Sequence, residues 1–255
     1  MIYITGDTHS DFRRFSRHVF PEQEEMSKTD YMIIAGDFGG VWYGLNDTAH
    51  QNAERYNLDE LDRRPFTTLF IPGNHENYDR LLGDEFPQIS WHGGWVKQIR
   101  PSILMLMSGD MYDIDGVKLF AFGGASSHDI SDGILDGSDP NWRKQAEELQ
   151  RRGKRFFRIK GISWWPQELP SPEEMQHGLQ TLEENNWRTD LVVTHCAPAS
   201  LLHLLGIPGG NELNRYLEEI RGKLDYKRWF FGHYHANMNL SARDILLYEQ
   251  IIRIR

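Results

Sequence analysis

The sequence predicts an α/β fold with mixed strand directions, and two observations carry that prediction. Short apolar runs rich in β-branched residues end in Gly-Asp or Gly-Asn turns and lead into polar, helix-patterned segments, the rhythm of strands joined by crossover helices. Midway along the chain three apolar runs follow one another with only tight turns between them, so part of the structure is antiparallel.

Taken in order, residues 2–5 end in Gly6-Asp7, residues 31–35 in Gly36-Asp37, and residues 67–71 in Pro72-Gly73-Asn74-His75. None of these runs alternates, so each reads as a strand buried on both faces. Residues 46–64 are long enough for a crossover helix. Residues 103–107, 111–114 and 117–122 come next, divided by Ser108-Gly109-Asp110 and Asp115-Gly116; Asp-Gly between apolar runs is a strong hairpin signal. Residues 126–170 fit neither strand nor crossover. They carry Asp129, Asp132, Asp136 and Asp139 among glycines, then Arg151, Arg152, Lys154, Arg155, Arg158 and Lys160, then Trp164-Trp165-Pro166. This stretch reads as an insertion or lid whose opposite charges answer each other. A helix over 171–186 opens with Ser171, Pro172 and Glu174, a capping box with proline at the first helical position. Residues 190–194, a helix at 212–224, and residues 227–231 resume the strand–helix pattern, and 245–254 read as closing strands. One domain over residues 1–255, carrying the insertion, is expected.

Composition narrows the function classes. The 255 residues include 28 Lys plus Arg against 37 Asp plus Glu, a net charge of −9, which disfavours wrapping duplex DNA over a whole face. The single cysteine, Cys196, excludes an intrachain disulfide and any thiolate-rich zinc or iron–sulfur site; it reads as a small packing residue. The first residues lack a basic-then-apolar leader and no apolar run reaches the ~18 residues that span a bilayer. A cytoplasmic protein without membrane association is therefore expected.

The chemistry gathers after the strands. Asp7 and His9, Asp37, Asn74 and His75, His195, and His233 with His235 all stand in turns that follow apolar runs. Strand ends along one edge of an α/β sheet form a ligand crevice, so these residues are expected in one pocket. Taken singly each is bland: Asp7 reads as a helix cap, His75 as a helix start, His195 as a core histidine. Their recurrence is the signal. Carboxylate, imidazole and amide donors without sulfur suit Mn, Fe, Zn, Co or Ni. Six or more donors exceed the three or four of a mononuclear site, whereas two metals sharing a carboxylate fit the count and suit in-line displacement at phosphorus.

On Gly6-Asp7-x-His9, Gly36-Asp37, Gly73-Asn74-His75-Glu76, Val193-Thr194-His195 and Gly232-His233-x-His235, over residues 6–235, the chain resembles the calcineurin-like metallophosphoesterases. The resemblance implies a four-layer α/β/β/α sandwich with a dimetal site at the strand ends. It also implies hydrolysis of a phosphomonoester or phosphodiester by a metal-bridging hydroxide, with Mn the expected metal. Carried over residue by residue, Asp7, His9, Asp37 and His235 would hold one metal. Asp37 as bridge, Asn74, His195 and His233 would hold the other, and His75 would face the scissile phosphate.

The departures from the family pattern shape the remaining expectations. Ser10 and Asp11 follow the first histidine where glycine is common, and Gly40 and Val41 stand where many phosphatases of the family carry an Asp and an Arg. His75 thus lacks its usual carboxylate partner and the phosphate its usual arginine, which weighs against a protein Ser/Thr phosphatase. The basic residues of 151–160, Arg155 and Arg158 above all, are the expected substitutes. The stretch Gly123-Gly124-Ala125-Ser126-Ser127-His128-Asp129, with Trp164-Trp165-Pro166, resembles a bacterial subgroup of unassigned substrate. His128 and Asp129 are expected at the pocket, and the tryptophans are expected to pack the insertion onto the core. The expected partner is a phosphorylated small molecule or nucleotide. Two alternatives use the same residues: a nuclease or nucleotide phosphodiesterase, which needs the basic cluster and the tryptophans beside the metals, and a metal-containing scaffold without turnover. The P-loop and Gly-x-Ser-x-Gly motifs are both absent, which argues against phosphate binding by a nucleotide P-loop and weakens an α/β-hydrolase reading.

Overall fold

Continuous apolar strands need cover on both faces, and the chain provides it by stacking two sheets between two helical layers. The structure, a computed structural model, describes residues 1–44 and 47–255. The first sheet comes from β1 (Ile2–Thr5), β2 (Tyr31–Ile34), α1 (Thr48–Asp62), β3 (Thr67–Phe70), α2 (Tyr78–Leu82), β4 (Gln88–Trp91), β5 (Gly94–Arg100) and β6 (Ile103–Leu106). In it β1, β2, β3 and β6 lie side by side and parallel, with β5 and β4 antiparallel beyond β6.

The rest of the chain runs through β7 (Met111–Ile114), β8 (Val117–Phe122), β9 (Gly133–Asp136), α3 (Trp142–Arg151), β10 (Phe157–Lys160) and α4 (Pro172–Glu184). It continues with β11 (Arg188–Thr194), α5 (Ala199–Leu204), α6 (Glu212–Lys223), β12 (Asp225–Phe231), β13 (Met238–Asn239) and β14 (Asp244–Leu246). In the second sheet β8, β11, β12 and β14 are parallel, with β7 and β13 antiparallel at the edges. A last strand, β15 (Ile252–Arg253), returns to the first sheet and pairs antiparallel with β1.

Alternate side chains feed different layers. Ile4, Ile33 and Leu69 of the first sheet meet Leu119, Val193 and Phe230 of the second in one buried cluster. Met32, Ile34 and Phe70 point outward to Leu58 and Leu61 of α1 and to Phe15 and Phe20. Phe120, Val192 and Trp229 point the other way, to Leu182 of α4 and Leu217 and Ile220 of α6. Three apolar layers thus separate helix, sheet, sheet and helix: a four-layer α/β/β/α sandwich.

The hairpin at Asp115-Gly116 is present, with both residues at positive φ (54° and 78°), as a type I′ turn requires. Ser108–Asp110 is not a hairpin turn. β6 and β7 lie in different sheets, and this segment carries the chain across the sandwich. The β4–β5 hairpin, turning at His92 and Gly93, lacks a continuous apolar run because β4 is a half-exposed edge strand. α1 starts behind Asp47, whose side chain caps it; Asn46, included in the expected helix, lies outside the described residues.

Residues 245–254 divide between the two sheets as β14 and β15. Residues 126–170 join neither main sheet: β9 and β10 pair with each other in parallel, with α3 as the crossover. The opposite charges there do meet, Lys154 with Asp132 at 2.7 Å and Arg158 with Asp129 at 2.7 Å. The capping box of α4 forms in full. Among the described residues, no helix is long and apolar enough to cross a membrane.

Candidate metal centre

In-register parallel strands end level, and their level ends present the site. Thr5 stands opposite Ile34, Ile34 opposite Phe70, and Thr194 opposite Phe231. The polar turns that follow meet where the two sheets adjoin. One carboxylate or imidazole donor atom from each of Asp7, His9, Asp37 and His235 lies within 4.8 Å of the others, and the same holds for Asp37, His195 and His233. Asp37 belongs to both groups.

Within the first group, His9 Nε2 is 3.1 Å from His235 Nε2 and 3.7 Å from Asp37 Oδ2, while His235 Nε2 is 3.2 Å from Asp7 Oδ2. Within the second, His195 Nε2 is 3.2 Å from Asp37 Oδ1. Backbone amides orient the acids: His75 N donates to Asp37 Oδ1 at 2.8 Å, and His233 N donates to Asp7. The tight approach explains the glycines. A Cβ on Gly232 would sit 2.1 Å from Asp7 Oδ1, and one on Gly73 would sit 2.1 Å from Asp37 Oδ1. His9, Asp37, His233 and His235 all adopt left-handed backbone, with φ between 44° and 70°, a strained state that surrounding structure must enforce and that gathers at functional sites. Ser10, directly after His9, also has a left-handed backbone, with φ 65°.

The donor set fits divalent cations on two counts. Asn74 Oδ1 is buried without a hydrogen bond, and a buried unpaired acceptor costs about 1–3 kcal/mol that a cation would remove. Two of the donor imidazoles, His9 and His233, also stay neutral and so keep a lone pair. Burial holds His233 well below the ordinary histidine range, with His195 adding to the effect. Burial lowers His9 and His75 as well, against the pull of Asp37. His195 and His235 go the other way: burial opposes the His195 charge, yet the adjoining Asp37 carboxylate lifts it to about 9, and a hydrogen bond to Asp7 raises His235. The reciprocal attraction overrides burial at Asp37 and keeps its carboxyl ionised. Cation binding would displace the His195 proton.

A cleft of about 470 Å³ opens beside this cluster, lined by Asp37, Asn74, His75, His128, Asp129, Arg158, His233 and His235 among others. Of the substrate contacts expected from the sequence, His128, Asp129 and Arg158 are therefore brought to the cluster. Arg155 is not among the lining residues; its side chain is exposed, and its backbone N–H donates to Asp132. The His128 ring lies 4.4 Å from that of His233, and Arg158 grips both oxygens of Asp129 from Nε at 2.8 and 2.9 Å. Trp165 is buried, donating to Asp79 and packing edge-on against Trp42. Cys196 is buried beneath the site, its thiol pushed up to about 12 by burial.

Several supports escaped the sequence reading. Arg14 donates to the carbonyls of Asp7 and Tyr248, and the Tyr248 ring stacks on His235 at 4.7 Å. The buried Glu76 carboxylate accepts the N–H groups of Phe38 and Gly39 behind Asp37. Trp42 stacks on His75. Neither Gly40 nor Val41 could host the missing partners: a Cβ on Gly40 would meet the Phe38 ring at 2.3 Å, and Val41 is fully buried. Only Glu76 carried a local hint, standing within the Gly73-Asn74-His75-Glu76 motif that ends a strand. Arg14 and Tyr248 carried none.

Compared with known families, residues 1–237 match the family described as calcineurin-like phosphoesterase. No curated protein matches the chain significantly.

Proposed function

The chain belongs to the calcineurin-like phosphoesterase family, hydrolases acting on phosphate esters, and from that premise we propose that it is a dinuclear enzyme cleaving a small phosphomonoester or phosphodiester. The observation that carries this reading is the position of Asp37, shared by two donor groups, with the orphaned Asn74 Oδ1 in the turn after β3. Asp7, His9, Asp37 and His235 would hold one cation, and Asp37, Asn74, His195 and His233 the other. A pair of divalent ions, when bound, supplies an activated water and charge compensation for in-line displacement at phosphorus.

The protein's own groups do the rest. Arg158, the one Lys or Arg among the described residues of the cleft wall, takes the place of the absent family arginine and binds the phosphoryl oxygens. It would leave Asp129 for the charge-assisted pairing that phosphate offers. His75, kept neutral by burial and backed by Trp42, offers a ring N–H to the ester oxygen as the bond breaks. A small substrate is favoured over a polynucleotide. Arg158 is the only member of the basic stretch at the cleft, and Trp165 is buried in the packing beneath the insertion.

The test is turnover of a panel of phosphomonoesters and phosphodiesters before and after chelation. Activity should vanish with chelator and return with Mn²⁺, and Asn74→Ala should abolish it. Full turnover in the chelated protein, or in Asn74→Ala, would refute the assignment.

A further inference from the structure

His75 and His9 border not only the metal cluster but a second cavity of about 260 Å³, whose other walls include Trp42, Tyr43, His50 and Asn57. Its surfaces are flat and aromatic. Trp42 lies nearly parallel to His75 at 5.9 Å and is braced edge-on by Trp165, while Tyr43 and His50 stack at 4.7 Å. The loop that carries Trp42 and Tyr43 is pinned. The buried Glu54 carboxylate accepts the N–H of Trp42 at 2.8 Å and of Tyr43 at 3.1 Å, and pairs with Arg80 at 2.6 Å. Asn57, in the next turn of α1, offers an amide with both donor and acceptor. A preformed aromatic slot with one amide at its wall suits a flat heterocycle with a hydrogen-bonding edge, and it begins at the residue that faces the reacting ester.

We propose that this slot is a base subsite, so that the phosphoester taken by the neighbouring cluster is a nucleotide whose base lies among Trp42, Tyr43 and His50, with Asn57 reading its edge. The inference rests on the phosphoesterase reading of that cluster. It places the base on α1 and the Trp42 loop, and leaves the tryptophan pair of the insertion a packing role.

The experiment titrates the Mn²⁺-loaded protein with the four ribonucleoside 5′-monophosphates and with ribose 5-phosphate, read by calorimetry and by tryptophan fluorescence. At least one nucleotide should bind about tenfold more tightly than ribose 5-phosphate, the usual worth of one stacked base. That ratio should fall towards one in Asn57→Leu and in Tyr43→Ala. Because the ratio is measured within each protein, a general loss of active protein does not imitate the result. If every nucleotide binds no better than ribose 5-phosphate, or if the ratio survives both substitutions, the subsite is refuted. Continued metal-dependent phosphoester turnover in that case leaves the enzyme reading standing alone. A base preference without any turnover does the reverse: it keeps the slot as a nucleotide site and removes the hydrolase.

Discussion

Asp129 and Arg158 illustrate how a single residue takes its role from where the chain places it. In sequence the two sit in opposite charge blocks of an acidic-then-basic stretch; in space they clasp at the mouth of the cleft, whose lining also includes His75. Arg155, three residues earlier, is exposed and away from the lining. Arg158→Ala should therefore raise KM for a phosphoester about tenfold or more, since a hydrogen bond to a charged group is worth roughly 1.5–3 kcal/mol. Arg155→Ala should change KM far less. Michaelis kinetics on both variants decide it, and an unchanged KM in Arg158→Ala would show that phosphate is held by something else.

At the level of elements, β14 shows how a short strand beside the sheet edge is held. Its Asp244 is buried and accepts from Arg221 of α6, Tyr226 of β12 and Ser241, at 2.7–2.9 Å. Burial alone would raise the Asp244 carboxyl, but these donors outweigh it and hold it below the ordinary aspartate value. A depressed folded value means that the stabilisation is complete above the unfolded value, near pH 4, and fades as pH falls through the lower folded one. Asp244→Ala should cost about 3 kcal/mol at pH 7 by stranding its partners. In urea titrations, the gap from wild type should narrow at pH 3; a gap equal at both pH values would deny the carboxylate its role.

For the whole molecule, the decisive feature is that the candidate metal-ligand cluster straddles two sheets. Asp7, Asp37 and Asn74 follow strands of the first, His195 and His233 strands of the second, so the donor geometry depends on how the sheets sit on each other. The C-terminal segment helps to fix this by running from β14 in one sheet to β15 in the other and passing against the end of β1. A Cβ on Gly6 would lie 2.2 Å from the Leu247 carbonyl oxygen, a backbone contact that cannot swing aside. Gly6→Ala should therefore lower stability by about 1–3 kcal/mol and weaken Mn²⁺ binding through displacement of Asp7. Thermal melts and metal titration report the two effects, and a variant that loses stability with unaltered metal affinity would show that the sheets' alignment does not govern the donors.

Much of this was written in short stretches of residues. Apolar runs mark β1, β2, β3, β8, β11 and β12, and the turns behind them, glycine-bearing except at His195, carry the donors of the cluster, because a buried strand and the sharp turn after it are encoded within a few consecutive positions. What residue order left open was partnership across long separations. That β6 and β7 occupy different sheets, that Trp42 backs His75 in place of the missing carboxylate partner, that Tyr248 covers His235, and that Arg158 rather than Arg155 reaches the cleft all follow from side chains meeting across the fold. Such contacts are selected by packing density and by the pairing of buried polar groups, and neither exists until distant segments are brought together.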